Sequence, residues 1–468
     1  MKIELKNRLI LSDMPEVLAA EIRDKLTLAN PKWLENYRMR RWNRRTPREL
    51  RFYKKSRAER YFLPRGISGQ ILRLCKNREF PFEFKDERRR LPDMPYQFAG
   101  LLKPFQQEAV EKMLKKDFGT LCAPTGSGKT VMALFMIAVR AQPTLVVVHT
   151  QELAHQWMER ISTFLKIPTE EVGLIGAGKH KIGKQITVAL IQSLYKRAKN
   201  VAPQIGHLIV DECHRVPSRT FTEAVTQFDC YYQLGLSATP FRRDQLSDII
   251  FWYMGDLQHS LSAQSLIREK AVLPAEVIFR ETDFNPYHDP FSEYSKMMSE
   301  LCADSMRNKM IVADVKAEVG RQKGVCLVLS DRKQHCEELH RLLFYQHGVR
   351  AEILTGDIGR PQRQKIVEST LKGEIEVLVA TGQLVGEGFD CENLSTLFLA
   401  TPIRFSGRVI QYLGRVLRTS PGKERARVFD YVDVYVAPLR VAAESRRTVY
   451  EMTRETQLDT LTAWPSEE

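Results

Sequence analysis

The stretch APTGSGKT at residues 123–130 decides the fold of the chain around it. Apolar residues 121–122 lead into this stretch as the end of a predicted strand, and apolar residues 131–138 follow it as a predicted buried helix. A glycine-rich loop between a strand and a helix turns backbone N–H groups toward phosphate oxygens, and the helix N-terminus favours an anion. We therefore expect these residues, the phosphate loop, to hold a nucleoside triphosphate.

The residues of the phosphate loop have separate expected roles. Gly126 and Gly128 let the backbone approach the phosphates, while Lys129 can reach the β- and γ-phosphates. The Thr130 hydroxyl can ligate Mg²⁺. Ala123 stands where the general pattern has a glycine. The predicted nucleotide-binding residues are Pro124, Thr125, Gly126, Ser127, Gly128, Lys129 and Thr130. An ordinary glycine-rich turn is disfavoured because Gly-Lys-Thr falls at the right place between strand and helix.

Composition indicates a globular protein with a polyanionic partner. The 468 residues, 43% hydrophobic and 27% charged, are enough for two or three domains. Apolar runs are too short to cross a bilayer, and residues 1–6 do not resemble a secretory signal. We therefore expect a cytoplasmic protein with no membrane association. The net charge of +14 suits nucleic acid, with a solubilising surface as the alternative.

The eight cysteines form no C-x-x-C pair and mostly fall in apolar stretches. We predict reduced core thiols and neither a zinc site nor a disulfide framework.

Residues 1–97 have their own character and are predicted to be a small basic α+β domain that binds nucleic acid. Residues 5–11 alternate like a strand, and residues 14–26 have a helical pattern. A dense run of basic and aromatic residues follows at 33–61. Basic side chains neutralise phosphates, and aromatic faces can stack on bases or pack a small core. A solvated surface over buried aromatics is the alternative. The predicted contacts from this run are Arg41, Arg44 and Arg45.

From residue 101 onward, strand and helix patterns alternate. Runs such as LVVV at residues 145–148 are apolar throughout, which is typical of parallel strands covered on both faces. We predict an α/β protein with two doubly wound domains, at residues 98–262 and 263–437. A C-terminal helix and tail occupy residues 438–468.

Asp211 and Glu212 follow the apolar residues 208–210, which end a predicted strand. The carboxyl ends of parallel strands lie at one edge of the sheet, where the phosphate loop is also expected. Asp211 would hold Mg²⁺ through water, and Glu212 would orient and deprotonate the attacking water. Such a pair is often only a solvated strand end, but together with the phosphate loop it indicates nucleotide hydrolysis.

With these motifs in place, the chain resembles a superfamily 2 helicase or translocase of the DEXH type over residues 101–433. Further matching segments, in chain order, are LKPFQ at 102–106, HTQEL at 149–153, QW at 156–157, TVALIQSL at 187–194, SAT at 237–239, TG at 381–382, EGFD at 387–390 and QYLGRVLR at 411–418. The resemblance implies two tandem RecA-like domains that use ATP and Mg²⁺.

The resemblance also implies roles for single residues. Gln106 would bond the adenine edge, and Ser237 and Thr239 would couple hydrolysis to movement of the strand. Gly388 and Asp390 would lie at the nucleotide. The implied nucleic-acid contacts are Thr150, Gln192, Arg332 and Thr381, and the QW segment belongs to the same backbone-contacting group.

Gln411, Arg415 and Arg418 resemble the arginine-finger helix of the family. Their i, i+4 and i+7 spacing projects all three from one helix face. Guanidinium groups there would stabilise charge on the γ-phosphate. A basic amphipathic helix with a solvated face is the alternative.

Residues 235–244, GLSATPFRRD, are similar to the XPB-like DNA helicases, and the compact length resembles UvsW-type phage recombination helicases. The leading hypothesis is an ATP-dependent DNA helicase that unwinds or branch-migrates forked or branched DNA in recombination, repair or replication. Its partners would be forked, branched, duplex or single-stranded DNA, ahead of RNA. The alternatives are a double-stranded DNA translocase of a restriction or defence complex, an RNA helicase, and a nucleotide-gated binder with little turnover.

Overall fold

The structure is a computed structural model that describes residues 1–38, 41–215, 219–238, 246–321, 324–382, 391, 393–403, 406–419, 423 and 425–451. The chain divides into two compact units. The first joins Met1–Ala123 and Gly128–Ser260, and the second joins Pro124–Ser127 and Leu261–Glu468. Of the predicted site residues, Thr239, Gly388 and Asp390 lie outside the described residues.

The first unit begins with a small mixed sheet and three helices. Its elements are β1 (Lys2–Leu5), β2 (Leu9–Ser12), α1 (Glu16–Lys25), β3 (Thr27–Ala29), α2 (Pro31–Arg38), β4 (Glu49–Arg51), β5 (Lys54–Lys55), β6 (Tyr61–Leu63), α3 (Ser68–Asn77) and β7 (Glu83–Asp86). The sheet order is β5-β6-β2-β1-β7, with β1 and β7 parallel and the other neighbours antiparallel. Residues 5–11 were expected to be one strand but form a hairpin, because residues 6–8 turn between β1 and β2.

A larger sheet follows in the same unit. Its elements are α4 (Pro104–Leu114), β8 (Phe118–Cys122), α5 (Lys129–Arg140), β9 (Thr144–Val148), α6 (Gln151–Leu165), β10 (Gly173–Gly176), β11 (Lys179–Lys181), β12 (Ile186–Leu190), α7 (Ile191–Leu194), α8 (Ala198–Val201), β13 (His207–Val210), α9 (Arg219–Val225), β14 (Tyr232–Ser237), α10 (Asp248–Met254) and β15 (Leu257–Ser260). The order is β11-β10-β12-β9-β13-β14-β8-β15. All neighbours are parallel except β10 and β11.

The two sheets of the first unit share a hydrophobic core. Ile249 and Trp252 of α10 pack in one buried cluster with Ile3 and Leu11 of the small sheet and Ile71 of α3. Burial of large apolar side chains contributes about 1.5–3 kcal/mol each. Residues of the small sheet are therefore attached to the larger sheet by packing as well as by chain connection.

The second unit is built on a six-stranded parallel sheet. Its elements are α11 (Ala263–Arg268), β16 (Ala275–Thr282), α12 (Tyr294–Ala303), α13 (Ser305–Val319), β17 (Val325–Ser330), α14 (Lys333–Arg341), β18 (Ala351–Leu354), α15 (Arg360–Leu371), β19 (Val377–Thr381), β20 (Leu394–Leu399), α16 (Ser406–Val416), β21 (Ala426–Asp433) and α17 (Ala437–Glu451). The order is β16-β21-β20-β17-β19-β18. Strands β17 and β20 are buried along their whole length, as the apolar runs predicted. The predicted α/β class with two parallel-sheet domains is confirmed.

Two predictions about composition can be compared with this fold. All eight cysteines are buried free thiols. Among the helices that the structure describes, none is long and apolar enough to cross a membrane.

His335 in α14 predicts a pH dependence of stability. The buried ring contacts Ser330 Oγ through Nδ1 at 3.0 Å and Asn308 Oδ1 through Nε2 at 2.9 Å. Burial, aided by the Arg307 charge, lowers its pKa to about 3. The unfolded chain takes up this proton near pH 6.5 whereas the folded chain does not, so stability falls as pH drops from 6.5 towards 3. The expected slope is about 1.4 kcal/mol per pH unit.

The pH dependence is measured by hydrogen exchange of α14 peptides in the full chain at pH 7 and pH 5. Because carboxylates also titrate, the matched comparison is His335→Gln, whose stability should fall less over this range. Equal slopes for the two proteins would contradict the prediction.

Candidate active site

The phosphate loop connects β8 to α5. Gly126 and Gly128 have φ of +90° and +81°, a backbone conformation that residues other than glycine rarely adopt. Lys129 begins α5, and its Nζ donates to the Ala123 carbonyl oxygen at 2.9 Å. The two glycines thus provide the turn that the sequence predicted, and Lys129 is held at the strand end that precedes the loop.

Gln106 lies next to the last glycine of the loop. Its Oε1 accepts a hydrogen bond from the Lys103 backbone N–H at 2.9 Å, which orients the amide at the start of α4. A Cβ added to Gly128 would lie 2.4 Å from Gln106 Nε2. The absence of a side chain at Gly128 therefore makes room for Gln106, and the segment expected to read adenine is close to the segment expected to hold phosphate.

Asp211 and Glu212 follow β13, as the sequence predicted. Asp211 is buried, and its Oδ1 accepts from the Glu212 backbone N–H at 2.9 Å. Burial, reinforced by the Glu212 charge, raises the pKa of Asp211 above its usual range. Glu212 itself has φ of +50°, which is uncommon outside glycine. Strained backbone of this kind concentrates at functional sites, where surrounding structure holds it in place.

The oxygen donors at this edge of the sheet fit a magnesium ion. Mg²⁺ prefers carboxylate and hydroxyl oxygens and usually keeps several of its own waters. The predicted ligands, Asp211 and Thr130, supply one carboxylate and one hydroxyl. When bound there, the ion would neutralise charge on the phosphates, and it would favour the ionised form of Asp211.

Trp157 is a residue of this site that the sequence interpretation misplaced. The QW segment was expected to contact the nucleic-acid backbone, but the Trp157 indole is 1% exposed. Its Nε1 donates to Asp211 Oδ2 at 2.8 Å. Both carboxylate oxygens of Asp211 are therefore oriented, one by Trp157 and one by the Glu212 backbone. An indole that hydrogen-bonds 54 residues away leaves no signal in local sequence.

Trp157→Phe removes this hydrogen bond while keeping an aromatic side chain. We expect the Mg²⁺ concentration for half-maximal ATPase activity to rise about tenfold, since partners that orient a metal ligand are typically worth that much or more. Binding of a fluorescent nucleotide at graded Mg²⁺ should shift in parallel. Trp42→Phe, at an exposed tryptophan, is the matched control. An unchanged Mg²⁺ dependence would show that Trp157 only fills space.

His214 is a second residue of this site that the sequence interpretation missed, because no role was assigned to it. Its Nδ1 lies 3.1 Å from Ser237 Oγ and 3.2 Å from Glu212 Oε2. The ring thus joins the expected catalytic carboxylate to Ser237, which was predicted to couple hydrolysis to movement. In the sequence, His214 could have been found as the fourth residue of the stretch DECH at residues 211–214.

The predicted nucleic-acid contacts fall at strand ends or in an exposed loop. Thr150 follows β9 and caps α6, with its Oγ1 accepting from Leu153 N at 3.2 Å. Gln192 follows β12, the parallel neighbour of β9, and is exposed. In the second unit, Arg332 and Thr381 lie at the carboxyl ends of the adjacent strands β17 and β19. Each pair is therefore brought to one sheet edge within its own unit.

The remaining predicted contacts are Arg41, Arg44 and Arg45, between α2 and β4. All three are exposed. Within the described part of the chain, none of their guanidinium groups has an ion pair.

The arginine-finger segment differs from the prediction at its end. Arg415 lies in α16 and is buried, but the helix ends at Val416 and Arg418 forms an antiparallel bridge with Val272. Lys423 Nζ donates to the carbonyl oxygens of Val416 and Arg418, the latter at 3.0 Å. Arg418 lies two residues beyond the helix end, in a bridge with Val272, so it does not continue the helix face of Arg415. Gln411 lies in α16, but its side chain is outside the described part.

Two family models match the chain. Residues 100–242 match the type III restriction enzyme res subunit model, and residues 310–420 match the helicase conserved C-terminal domain model. A protein of Acanthamoeba polyphaga mimivirus named as an ATP-dependent RNA helicase is 27% identical over 375 residues, 77% of this chain and 69% of its own length. The DNA 3'-5' translocase XPB2 of Sulfurisphaera tokodaii is 36% identical over 165 residues, 35% of this chain and 37% of its own length.

One of two similar solved structures supports the same fold. A fragment of a type I restriction enzyme HsdR subunit from Vibrio vulnificus covers 75% of this chain and 66% of its own, with 19% identity and a TM-score of 0.58. The UvsW structure from phage T4 covers 97% of this chain and 98% of its own, with 19% identity and a TM-score of 0.43. The two family models and the motif series show that the chain belongs to the superfamily 2 helicases, ATP-hydrolysing enzymes that act on nucleic acid, and XPB-type helicases are among its relatives.

Proposed function

We propose that this helicase acts on DNA, unwinding or branch-migrating forked or branched substrates in recombination, repair or replication. The observation that supports this proposal is the concentration of positive charge in residues 1–97. Residues 1–97 contain 25 Lys and Arg against 13 Asp and Glu, a net charge of +12 out of +14 for the whole chain. Residues 1–97 would therefore add electrostatic attraction for a polyanion that the two helicase domains bind.

At the hydrolysis site, Glu212 would act as the general base and Lys129 would contact the transferred phosphate. Arg415 and Arg418 are proposed to stabilise charge on the γ-phosphate. Nucleotide-dependent rearrangement of these groups would convert ATP turnover into movement along the strand. The buried position of Asp211 and the contact between His214 and Glu212 support a catalytic role, because both carboxylates are held in place by surrounding residues.

The choice of DNA over RNA follows the similarity to XPB2, which is named as a DNA 3'-5' translocase. The test is ATPase activity with forked, duplex and single-stranded DNA and with RNA, followed by strand displacement on the forked substrate. We expect forked DNA to stimulate turnover most. Stimulation by RNA alone would overturn the DNA assignment. Glu212→Gln should remove the stimulated rate, which confirms that the activity belongs to this protein.

A second candidate is a double-stranded DNA translocase of a restriction or defence complex. The match of residues 100–242 to a restriction-subunit model favours it. Such a motor would displace a third strand from a triplex while leaving a forked duplex unopened. Triplex displacement without strand displacement would therefore favour this candidate over the helicase.

A further inference from the structure

A cleft lies inside the first unit, between the small sheet and the larger one, away from the phosphate loop. Its volume is about 220 Å³, and its lining includes Arg8, Lys54, Tyr53, Phe62, Glu223 and Tyr253. Asn7 Nδ2 donates across this seam to the Thr226 carbonyl oxygen at 2.7 Å. The walls of the cleft are therefore held together by a direct hydrogen bond as well as by the shared core.

Three cations line the cleft, against a single described carboxylate. Arg51 reaches Glu49 at 3.4 Å, which leaves its charge only loosely paired at the surface. In the described part of the chain, the side chains of Arg8 and Lys54 have neither an ion pair nor a hydrogen bond. Glu223 is the acidic group that faces them. The lining of the cleft thus carries an excess of positive charge.

The fold places these cations next to aromatic walls. Lys54 pairs across the sheet with Phe62, and Leu9, the residue after Arg8, pairs with Leu63. Arg8 and Lys54 are thereby brought to one end of the small sheet. Tyr53, Phe62 and Tyr253 are half-buried and line the cleft.

We propose that this cleft binds one nucleotide of a nucleic-acid strand, with Arg8 and Lys54 on its phosphate and the aromatic walls against its base. Aromatic faces beside cations are the chemistry by which proteins hold single strands without reading sequence. The cleft is smaller than the roughly 300–1,000 Å³ typical of pockets for drug-sized ligands, which suits a base with its phosphate better than a second nucleoside triphosphate. This inference rests on the proposed nucleic-acid contact of residues 1–97.

The test compares two full-length variants that lose the same charge from the same part of the protein. Arg8→Gln/Lys54→Gln removes the two cleft cations. Lys76→Gln/Arg78→Gln, the α3 variant, removes two exposed cations, one in the last turn of α3 and one directly after it, and neither lines the cleft. Affinity for a 20-nucleotide single strand is measured by fluorescence anisotropy from 50 to 300 mM salt. Thermal unfolding midpoints check that both variants fold.

We expect the cleft variant to bind about tenfold more weakly and the α3 variant to bind as the wild type does. Each phosphate contact on a single strand contributes about 0.7 to the slope of log affinity against log salt, so loss of the one phosphate contact that Arg8 and Lys54 share should reduce the slope by about 0.7. Equal affinities and slopes for the two variants would overturn the cleft proposal.

A second measurement does not depend on substitution. Photo-crosslinking with a 5-iodouracil strand should give adducts on Tyr53, Phe62 or Tyr253, and free nucleotides at equal concentration should not compete them away. Adducts confined to other residues, or full competition by free nucleotides, would overturn the proposal. The triple variant Arg41→Gln/Arg44→Gln/Arg45→Gln distinguishes failure of the cleft proposal from failure of the nucleic-acid role of residues 1–97.

If the triple variant and the cleft variant both bind as the wild type does, residues 1–97 have no nucleic-acid role. If the triple variant binds weakly and the cleft variant binds normally, only the cleft proposal is overturned.

Discussion

Lys129→Ala should lower ATP turnover by about 10²–10³-fold, because a preorganised cation that meets charge developing on the transferred phosphate is worth that much. The side chain is already positioned, with Nζ on the Ala123 carbonyl at the end of β8. Loss of this ammonium leaves the loop backbone, including Gly126 and Gly128, in place. Nucleic-acid affinity should therefore stay within about twofold, since no phosphate contact of the strand is lost.

The measurement is steady-state ATPase activity at saturating nucleic acid, paired with anisotropy titration of the same strand. Lys196→Ala is the matched control, because Lys196 is an exposed lysine of the same unit. Turnover within threefold of the wild type would remove Lys129 from its role. Equal loss of turnover and of strand binding would point to a folding defect.

Arg65→Met should destabilise the first unit by about 3–5 kcal/mol, because three buried acceptors lose their donor and each such loss costs about 1–3 kcal/mol. The Arg65 guanidinium is 3% exposed, and its Nε donates to Gln233 Oε1 at 2.7 Å. Its Nη1 donates to the carbonyl oxygens of Cys230 and Phe228 at 2.9 and 3.2 Å. Methionine fills similar volume but leaves these acceptors buried without a donor.

The expected change is a fall in the thermal midpoint of the first unit of about 6–20 °C, at about 2–4 °C per kcal/mol for a domain of this size. Hydrogen exchange should show the largest loss of protection in β6, α3 and β14, which meet at this arginine. Arg78→Gln is the control, since its ion pair with Glu21 is exposed and such pairs are worth about 0–1 kcal/mol. Equal midpoints for the two variants would contradict the prediction.

Arg65→Lys sharpens this result. Lysine keeps the charge but cannot present the planar fork that bonds Gln233 and the two carbonyls together. We expect it to recover only part of the lost stability. If lysine restores the wild-type midpoint, charge alone and not hydrogen-bond geometry holds the two sheets.

Local sequence was enough to predict the nucleotide loop and the α/β class. The phosphate loop joins β8 to α5 at the predicted place, and the apolar run at residues 145–148 falls within the buried strand β9. Both signals are local. The position of the glycines and the continuous apolar run can each be recognised from neighbouring residues in the chain. The position of Asp211 after β13 followed from the same strand pattern.

Signals that depend on distant partners were misread or missed. Trp157 was grouped with strand-contacting residues because it follows a helicase-like segment, yet its indole is buried on Asp211. Arg418 was placed on a helix face by its spacing, yet the helix ends at Val416 and Arg418 forms a bridge with the distant Val272. Helical spacing assumes that the helix continues, and only tertiary contacts decide where it stops.

The sequence by itself therefore determined the α/β class and the positions of the glycine-rich loop and of the two carboxylates after β13. From the same residues it predicted phosphate, metal and water as their ligands and a polyanion for the basic segment. Tertiary structure alone decided which side chains orient those groups and how the small sheet is attached. Arg65 bonds Gln233 across 168 residues, and Trp157 bonds Asp211 across 54. Buried polar groups must find partners, and the chain order does not specify which distant group is brought within hydrogen-bonding distance.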